Sequence, residues 1–163
     1  MDVDADAFRQ VMGQFATGVT VVTALDGDRP VGITVNALSS ISLEPPLVMV
    51  ALDRRRRATP ALRACGRYAV NILGEDQRAL SDCFAGAPVT PDREAFCGTA
   101  WVPGPTSGMP LLAGAIASLE CEIVEELPVG DHLLFIGRAA FRTAEPHDDV
   151  YGVQAVIGYR TRL

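Results

Sequence analysis

Lysine is absent from this 163-residue chain, and catalytic side chains of other kinds are scarce. All 14 basic residues are arginine, which excludes a Schiff-base lysine and the lysine of a phosphate-binding P-loop. Only two histidines occur, His132 and His147, so acid–base chemistry has few places to reside. This scarcity favours a cofactor as the source of any chemistry.

The chain also lacks long apolar runs and an excess of basic groups. No apolar stretch approaches the roughly 20 residues that cross a bilayer, and the first six residues, MDVDAD, are acidic where a secretory signal is basic. The net charge of −6 disfavours nucleic-acid binding, which depends on basic groups. We therefore expect a cytoplasmic protein with no membrane or nucleic-acid partner. Its length corresponds to one domain, residues 1–163.

The four cysteines show no pattern of a metal site or a disulfide framework. Cys65, Cys83, Cys97 and Cys121 are irregularly spaced and contain no CxxC pair. In a cytoplasmic chain this spacing disfavours metal and disulfide roles and predicts buried free thiols.

Hydrophobic periodicity predicts about seven strands and three short helices. The predicted helices are 8–15, capped by Asp4 or Asp6 and ended by Gly18; a second with Thr59 as its N-cap, Pro60 at its first position and Gly66 as its end; and 75–84. The predicted strands are 19–25, 31–37, 47–52, 68–73, 117–123, 132–141 and a last one near 151–157. The run 47–52 is continuously apolar, as in a strand buried on both faces.

Most of these strands are joined as hairpins, and residues 85–110 read as a long loop with a short strand near Trp101. This order favours a closed or partly closed antiparallel barrel with helices at its edge over an alternating parallel β/α fold.

An arginine run, residues 54–57, stands between a predicted buried strand and a predicted helix start. A helix N-terminus presents free N–H groups and the positive end of the helix dipole, so it attracts anions. Guanidinium groups at that end strengthen the attraction. The run therefore predicts a phosphate or pyrophosphate site, with a solvated basic turn as an equal alternative and nucleic acid as a weaker third.

The segment TVNALSSIS, residues 34–42, follows a predicted strand and combines small, hydroxyl and amide side chains with little charge. Such a segment lets a flat ring approach the backbone while N–H and C=O groups meet its polar edge. Polar residues at a strand end are also ordinary turn formers.

A third candidate is the Gly130-Asp131-His132 turn, whose histidine would serve as a general base, a metal ligand or a plain turn residue. Without a further histidine or acidic cluster at ligand spacing, metal binding is disfavoured and no metal site is predicted. The chain has no GxSxG nucleophile elbow and no GxGxxG after a strand, which disfavours a serine hydrolase and a Rossmann dinucleotide fold.

Taken in order, these segments resemble the short-chain flavin reductase family. The resemblance covers the chain from Phe8 to about Tyr159 and rests on an ordered set of individually weak motifs. They are FATGVTVVT at 15–23, GITVN at 32–36, SISLEPPLV at 40–48, YAVNIL at 68–73, FAG at 84–86, GDH at 130–132 and FIG at 135–137.

The resemblance implies a mainly β fold, an FMN-binding split β-barrel that is antiparallel and of Greek-key type, usually as a homodimer. It implies reduction of FMN or FAD by NADH or NADPH and release of reduced flavin to a partner monooxygenase. The alternative is a flavin-binding or carrier protein without reductase turnover. A split-barrel oxidase acting on a pyridoxal-type phosphate is disfavoured by the GDH turn.

The resemblance also assigns site residues. His132 would face the nicotinamide, to position it or to shuttle a proton, with Tyr159 nearby. The flavin would be bound by Thr34, Val35, Asn36, Ser39, Ser40, Asp53, Arg54, Arg57, Thr59, Phe84 and Ala85.

Two departures from the family pattern bear on these assignments. Arg56, Arg57 and Ala58 replace the usual Ser, Thr or Asn of the phosphate loop, with Thr59 displaced by one. Arginine there would either replace the hydroxyl donors of the family's loop or favour the pyrophosphate of FAD. The chain end also reads Ile157-Gly158-Tyr159 where the family has Gly-Arg/Lys-Tyr.

Overall fold

A seven-stranded antiparallel sheet dominates the computed structural model, which describes residues 3–86 and 95–144. The strands are β1 (Thr20–Asp26), β2 (Arg29–Val35), β3 (Leu38–Leu43), β4 (Pro46–Asp53), β5 (Arg67–Ile72), β6 (Trp101–Pro103), β7 (Pro110–Leu112), β8 (Ala117–Val129) and β9 (His132–Ala144). The short β6 and β7 pair separately from the other seven. The helices are α1 (Ala5–Met12), α2 (Ala58–Cys65) and α3 (Arg78–Phe84), with 3₁₀ turns at Glu75–Gln77 and Ala95–Gly98.

The large sheet runs in the order β2-β1-β5-β8-β9-β4-β3. Strands β2 and β3 are consecutive in the chain, yet they form opposite edges of the sheet. Val35 ends β2 and Leu38 begins β3, so three Cα steps hold the two edges within about 11 Å of each other. The sheet must therefore curl into a barrel, and among the described residues it stays split because β2 and β3 do not pair. The predicted antiparallel split barrel is confirmed.

Helix α1 begins as predicted and ends early. The Asp4 carboxylate caps it by accepting hydrogen bonds from the N–H groups of Asp6 and Ala7, both at 2.9 Å. The predicted end at Gly18 is wrong, because the helix stops at Met12 and the Gly13 N–H closes it on the Arg9 carbonyl at 2.8 Å. None of its residues is buried.

Helix α2 begins at Ala58 with Arg57 in the cap position, so the predicted Thr59 cap is wrong. The Thr59 hydroxyl donates instead to the Asp53 carbonyl at 2.8 Å, six residues upstream. Gly66 ends the helix as predicted, with the positive φ of 65° that favours glycine. The predicted helix 75–84 is divided into the 3₁₀ turn and α3.

The predicted state of the cysteines is partly wrong. Cys83 and Cys97 form a disulfide, while Cys121 is a buried free thiol and Cys65 a half-buried one. The disulfide joins the end of α3 to the turn at Ala95–Gly98, where the rings of Phe84 and Phe96 pack edge to face at 5.1 Å. Sequence spacing does not reveal this tertiary neighbourhood. The short strand near Trp101 is confirmed. Strands β3 and β7 were not foreseen.

The interpretation of β4 as buried on both faces is wrong for the single chain. Only Val50 and Leu52 of this strand are buried, and the alternating residues Met49 and Ala51 remain half-exposed. No helix covers that face among the described residues. The strand predicted near 151–157 lies outside them.

Candidate functional site

The arginine run forms a corner between the end of β4 and the start of α2. Asp53, the last residue of β4, lies opposite His132, the first residue of β9. The Arg54 backbone N–H donates to the Asp131 carbonyl at 3.1 Å, and its Nε donates to the His132 carbonyl at 3.2 Å. Two segments singled out separately in the sequence, the arginine run and the GDH turn, are thus brought together.

Asp53 organises this corner through Arg55. Its carboxylate accepts the Arg55 backbone N–H at 2.8 Å, Nε at 3.1 Å and Nη2 at 2.8 Å. The side-chain hydrogen bonds from Arg55, followed by the backbone one, hold the pKa of Asp53 well below its usual range. The carboxylate therefore stays charged, and its charge is offset by Arg55, which leaves the other arginines to set the positive character of the corner.

Arg56 extends from the corner towards the end of α3. Its Nη1 lies 3.8 Å from where a Cβ on Gly86 would stand. Gly86 directly follows Phe84 and Ala85, so Arg56 connects the predicted phosphate corner with the predicted flanking residues. Arg56 belongs to the arginine run that was expected to bind phosphate, and its reach depends on where the end of α3 lies. The sequence carried no signal for that position.

Thr59 lies in the corner without facing solvent. The residue is 2% exposed, and its hydroxyl hydrogen is committed to the Asp53 carbonyl. A phosphate oxygen needs a hydrogen-bond donor, and the single hydroxyl hydrogen of Thr59 is already donated to the Asp53 carbonyl. Thr59 therefore braces the corner, and the exposed guanidinium groups of Arg54, Arg56 and Arg57 are the donors available to an anion.

The polar segment between β2 and β3 lies at the split of the barrel. Asn36, Ser39 and Ser40 are exposed, while Val35 is buried. The connection is tied to β4 by the Ala51 N–H, which donates to the Ala37 carbonyl at 3.1 Å. Because β2 and β3 are edge strands, their outer backbone groups can meet the polar edge of a flat ligand.

Thr34 and Phe84 attach α3 to this segment. The Thr34 hydroxyl donates to the Ser81 carbonyl at 2.6 Å. The Phe84 ring lies against Gly32 of β2, where a Cβ would stand 2.7 Å from ring carbon Cε1. Ala85 is exposed beside it. Phe84 is therefore half-buried in packing, and Ala85 offers the more open surface.

His132 is half-exposed at the tip of the β8–β9 hairpin, and its Nδ1 lies 2.7 Å from Asp131 Oδ1. The hydrogen bond with His132 lowers the pKa of the Asp131 carboxyl. This contact orients the ring and directs Nε2 away from Asp131. Tyr159, expected nearby, lies outside the described residues.

Together these features define a class: a split antiparallel barrel with a cationic corner beside two open strand edges suits a flat, phosphorylated cofactor. Comparison with known proteins narrows the class. Residues 12–151 match the model of the flavin reductase like domain. The chain belongs to this family, which confirms the resemblance seen in the sequence.

Characterised relatives cover most of the chain. It is 43% identical over 133 residues to an NADH-dependent flavin reductase of Rhodococcus sp, covering 80% of this chain and 72% of that one. It is 37% identical to the reductase subunit HsaB of a flavin-dependent monooxygenase of Mycobacterium tuberculosis, covering 83% and 70%. The solved structure of an NADH:FAD oxidoreductase from Streptomyces globisporus superposes with a TM-score of 0.79 at 39% identity, covering 90% of this chain and 88% of that one.

Proposed function

We propose that this protein uses NADH to reduce FAD or FMN and releases the reduced flavin to a partner monooxygenase. The observation that carries the proposal is the arginine corner beside the open edges of β2 and β3, in a chain whose relatives include NADH-dependent flavin reductases and monooxygenase reductase subunits. No helix of the described residues is long and apolar enough to cross a membrane. We place the reaction in the cytoplasm.

The residues of the site divide the work of binding. Arg54, Arg56 and Arg57 would hold the flavin phosphates, because guanidinium forks match phosphate oxygens. Asn36, Ser39 and Ser40 would line the ring together with the edge backbone. When bound, the isoalloxazine accepts a hydride from reduced nicotinamide. The protein's part is to orient the ring and exclude side reactions, which needs no conventional acid–base set.

His132 would face the nicotinamide side. Its Nδ1 lies 2.7 Å from Asp131 Oδ1, which supports a role for Nε2 in contacting the nicotinamide or shuttling a proton. The backbone contacts from Arg54 to Asp131 and His132 would couple this position to the phosphate corner.

We also propose a homodimer. Helix α1 and the residues just after it present an exposed apolar stripe, in which Phe8 is 59% and Phe15 is 70% exposed. One face of β4, predicted to be buried, is half-exposed. Exposed apolar area of this extent favours an interface, and a two-fold dimer would cover both surfaces with the same contact.

NADH oxidation that depends on added flavin tests the proposal, with FMN and FAD each supplied to NADH and NADPH. We expect turnover with NADH and either flavin. In Arg56→Gln the KM for flavin should rise roughly tenfold with kcat little changed, because a charge-assisted phosphate contact is lost. Arg138→Gln removes an arginine paired with Glu122 on the β8–β9 hairpin and should leave KM unchanged.

Two outcomes would refute the proposal. Tight flavin binding without NADH oxidation would select a carrier protein instead. If Arg56→Gln and Arg138→Gln had the same KM for flavin, the arginine corner would not be the flavin phosphate site.

A further inference from the structure

A cavity of about 370 Å³ opens beside the arginine corner, between α2 and the tip of the β8–β9 hairpin. Arg54 forms one end, and apolar walls are supplied by Pro60 of α2 and by Pro128 and Leu133 of the hairpin. This volume lies within the range of small-molecule sites, which are mostly apolar with a few polar groups that fix orientation. None of the residues assigned to the flavin ring lines this cavity.

Arg54 joins the cavity to the phosphate site. Its Nε is used by the His132 carbonyl at 3.2 Å, and a guanidinium carries four further N–H donors. One residue thus belongs to both the proposed phosphate corner and the cavity wall. If a ligand's phosphate is bound at the corner, the chemical group attached to that phosphate would extend into the cavity.

The cavity is also lined by an ion pair, formed by Arg63 and Glu126. Arg63 Nε donates to Glu126 Oε2 at 2.9 Å, bridging α2 and the hairpin. A guanidinium plane held in this way can stack on an aromatic ring. The carboxylate beside it can accept a hydrogen bond from an exocyclic amine. An adenine offers both features, a flat face and an amino group.

The two flavins differ in the part that the cavity would receive. FMN ends at its monophosphate, whereas FAD continues through a second phosphate to adenosine. We propose that the cavity between α2 and the β8–β9 hairpin holds the adenosine end of FAD, so that Arg63 and Glu126 set the preference for FAD over FMN. This inference rests on the proposed flavin reductase function.

The ratio of kcat/KM for FAD to that for FMN tests the proposal, since both flavins share the ring and the first phosphate. In Arg63→Ala we expect this ratio to fall roughly tenfold, through a higher KM for FAD. Glu126→Gln should lower it by a smaller factor, because the amide still accepts one hydrogen bond. Arg138→Ala is the matched control: it breaks an exposed Arg–Glu pair on the same hairpin and should leave the ratio unchanged.

Adenosine supplies a second measurement on the unmodified protein. As it has neither phosphate nor isoalloxazine, it should inhibit FAD turnover competitively and leave FMN turnover unaffected. An unchanged ratio in Arg63→Ala, a ratio that falls equally in Arg138→Ala, or equal inhibition of both flavins by adenosine would overturn the adenosine site while the reductase function stands. No NADH oxidation with either flavin would refute both.

Discussion

Asp53 and Arg55 form a closed unit in which one carboxylate receives three hydrogen bonds from the residue two positions later. These hydrogen bonds hold the turn that follows β4 in one conformation. They therefore also fix the backbone from which Arg54, Arg56 and Arg57 extend. The stability of this unit should depend on pH in a defined direction.

We predict that Asp53→Asn lowers the melting temperature at neutral pH, with the difference from wild type shrinking in acid. The folded-state pKa of Asp53 is depressed, so its contribution is fully present above the unfolded pKa, about 4. That contribution is lost as the pH falls from there through the folded pKa. Thermal unfolding followed from neutral to acidic pH measures the effect. Arg55→Gln should show the same narrowing, and a constant difference in both variants would contradict the assignment.

Gly32 is predicted to accept a side chain only at a cost in stability. A Cβ there would stand 2.7 and 2.9 Å from two carbons of the Phe84 ring, so Gly32→Ala should destabilise the fold by about 1–3 kcal/mol through overpacking. Urea unfolding measures this value. Gly18→Ala is the control, because nothing lies within 4 Å of its added methyl. In a Phe84→Leu background the cost of Gly32→Ala should fall, and an unchanged cost would place the strain elsewhere.

The disulfide between Cys83 and Cys97 should stabilise the folded chain in oxidising buffer. A sequence separation of 14 residues corresponds to about 3 kcal/mol from loop closure in the unfolded state. Dithiothreitol should therefore lower the melting temperature of wild type and leave that of Cys83→Ser unaffected. Cys65→Ser, at a free thiol, should keep the response to reductant. If Cys83→Ser still responded, the pairing would be wrong.

The exposed stripe of α1 should govern self-association. We expect Phe8→Ser combined with Phe15→Ser to shift sedimentation from dimer towards monomer, because two large apolar contacts would be lost. Val102→Ser, a comparable change at a 62% exposed site on β6, should leave the mass unchanged. A wild-type protein that sediments as a monomer would contradict the homodimer.

Locally encoded features were predictable from the sequence. The strand pattern identified six of the seven strands of the main sheet, because period-2 alternation and turn residues are read within a few positions. It missed β3, whose serine-rich sequence was interpreted as a polar segment following a strand. Gly66 ends α2 as expected, because the positive φ that often ends a helix favours glycine and depends on local sequence alone. The Asp4 cap of α1 was predictable for the same reason.

Features that depend on tertiary neighbours were not predictable. Thr59 before Pro60 looked like a helix cap, but its hydroxyl binds a carbonyl that the corner brings near. Arg56 belonged to the arginine run that was expected to bind phosphate, but its approach to the end of α3 depends on the position of Gly86. The Cys83–Cys97 pair likewise depends on how the end of α3 meets a turn beyond a long loop.

One quoted motif gains its physical meaning only from the structure. In FIG, residues 135–137, Gly137 faces the buried Tyr68 of YAVNIL, and a Cβ on Gly137 would overlap the tyrosine hydroxyl. Two distant motifs therefore share one packing constraint, which the sequence showed only as two separate matches.

The two-residue connection between β2 and β3 also has a mechanical consequence. A cleft between elements that are distant in the chain can widen when those elements move apart. Here the cleft between β2 and β3 is spanned by their two-residue connection, which limits how far the two strands can separate. Lengthening this connection by inserted glycines would weaken the proposed binding of the flavin ring while leaving the strand pairings of the sheet in place. Ligand residence time would then vary with loop length rather than with the melting temperature of the fold.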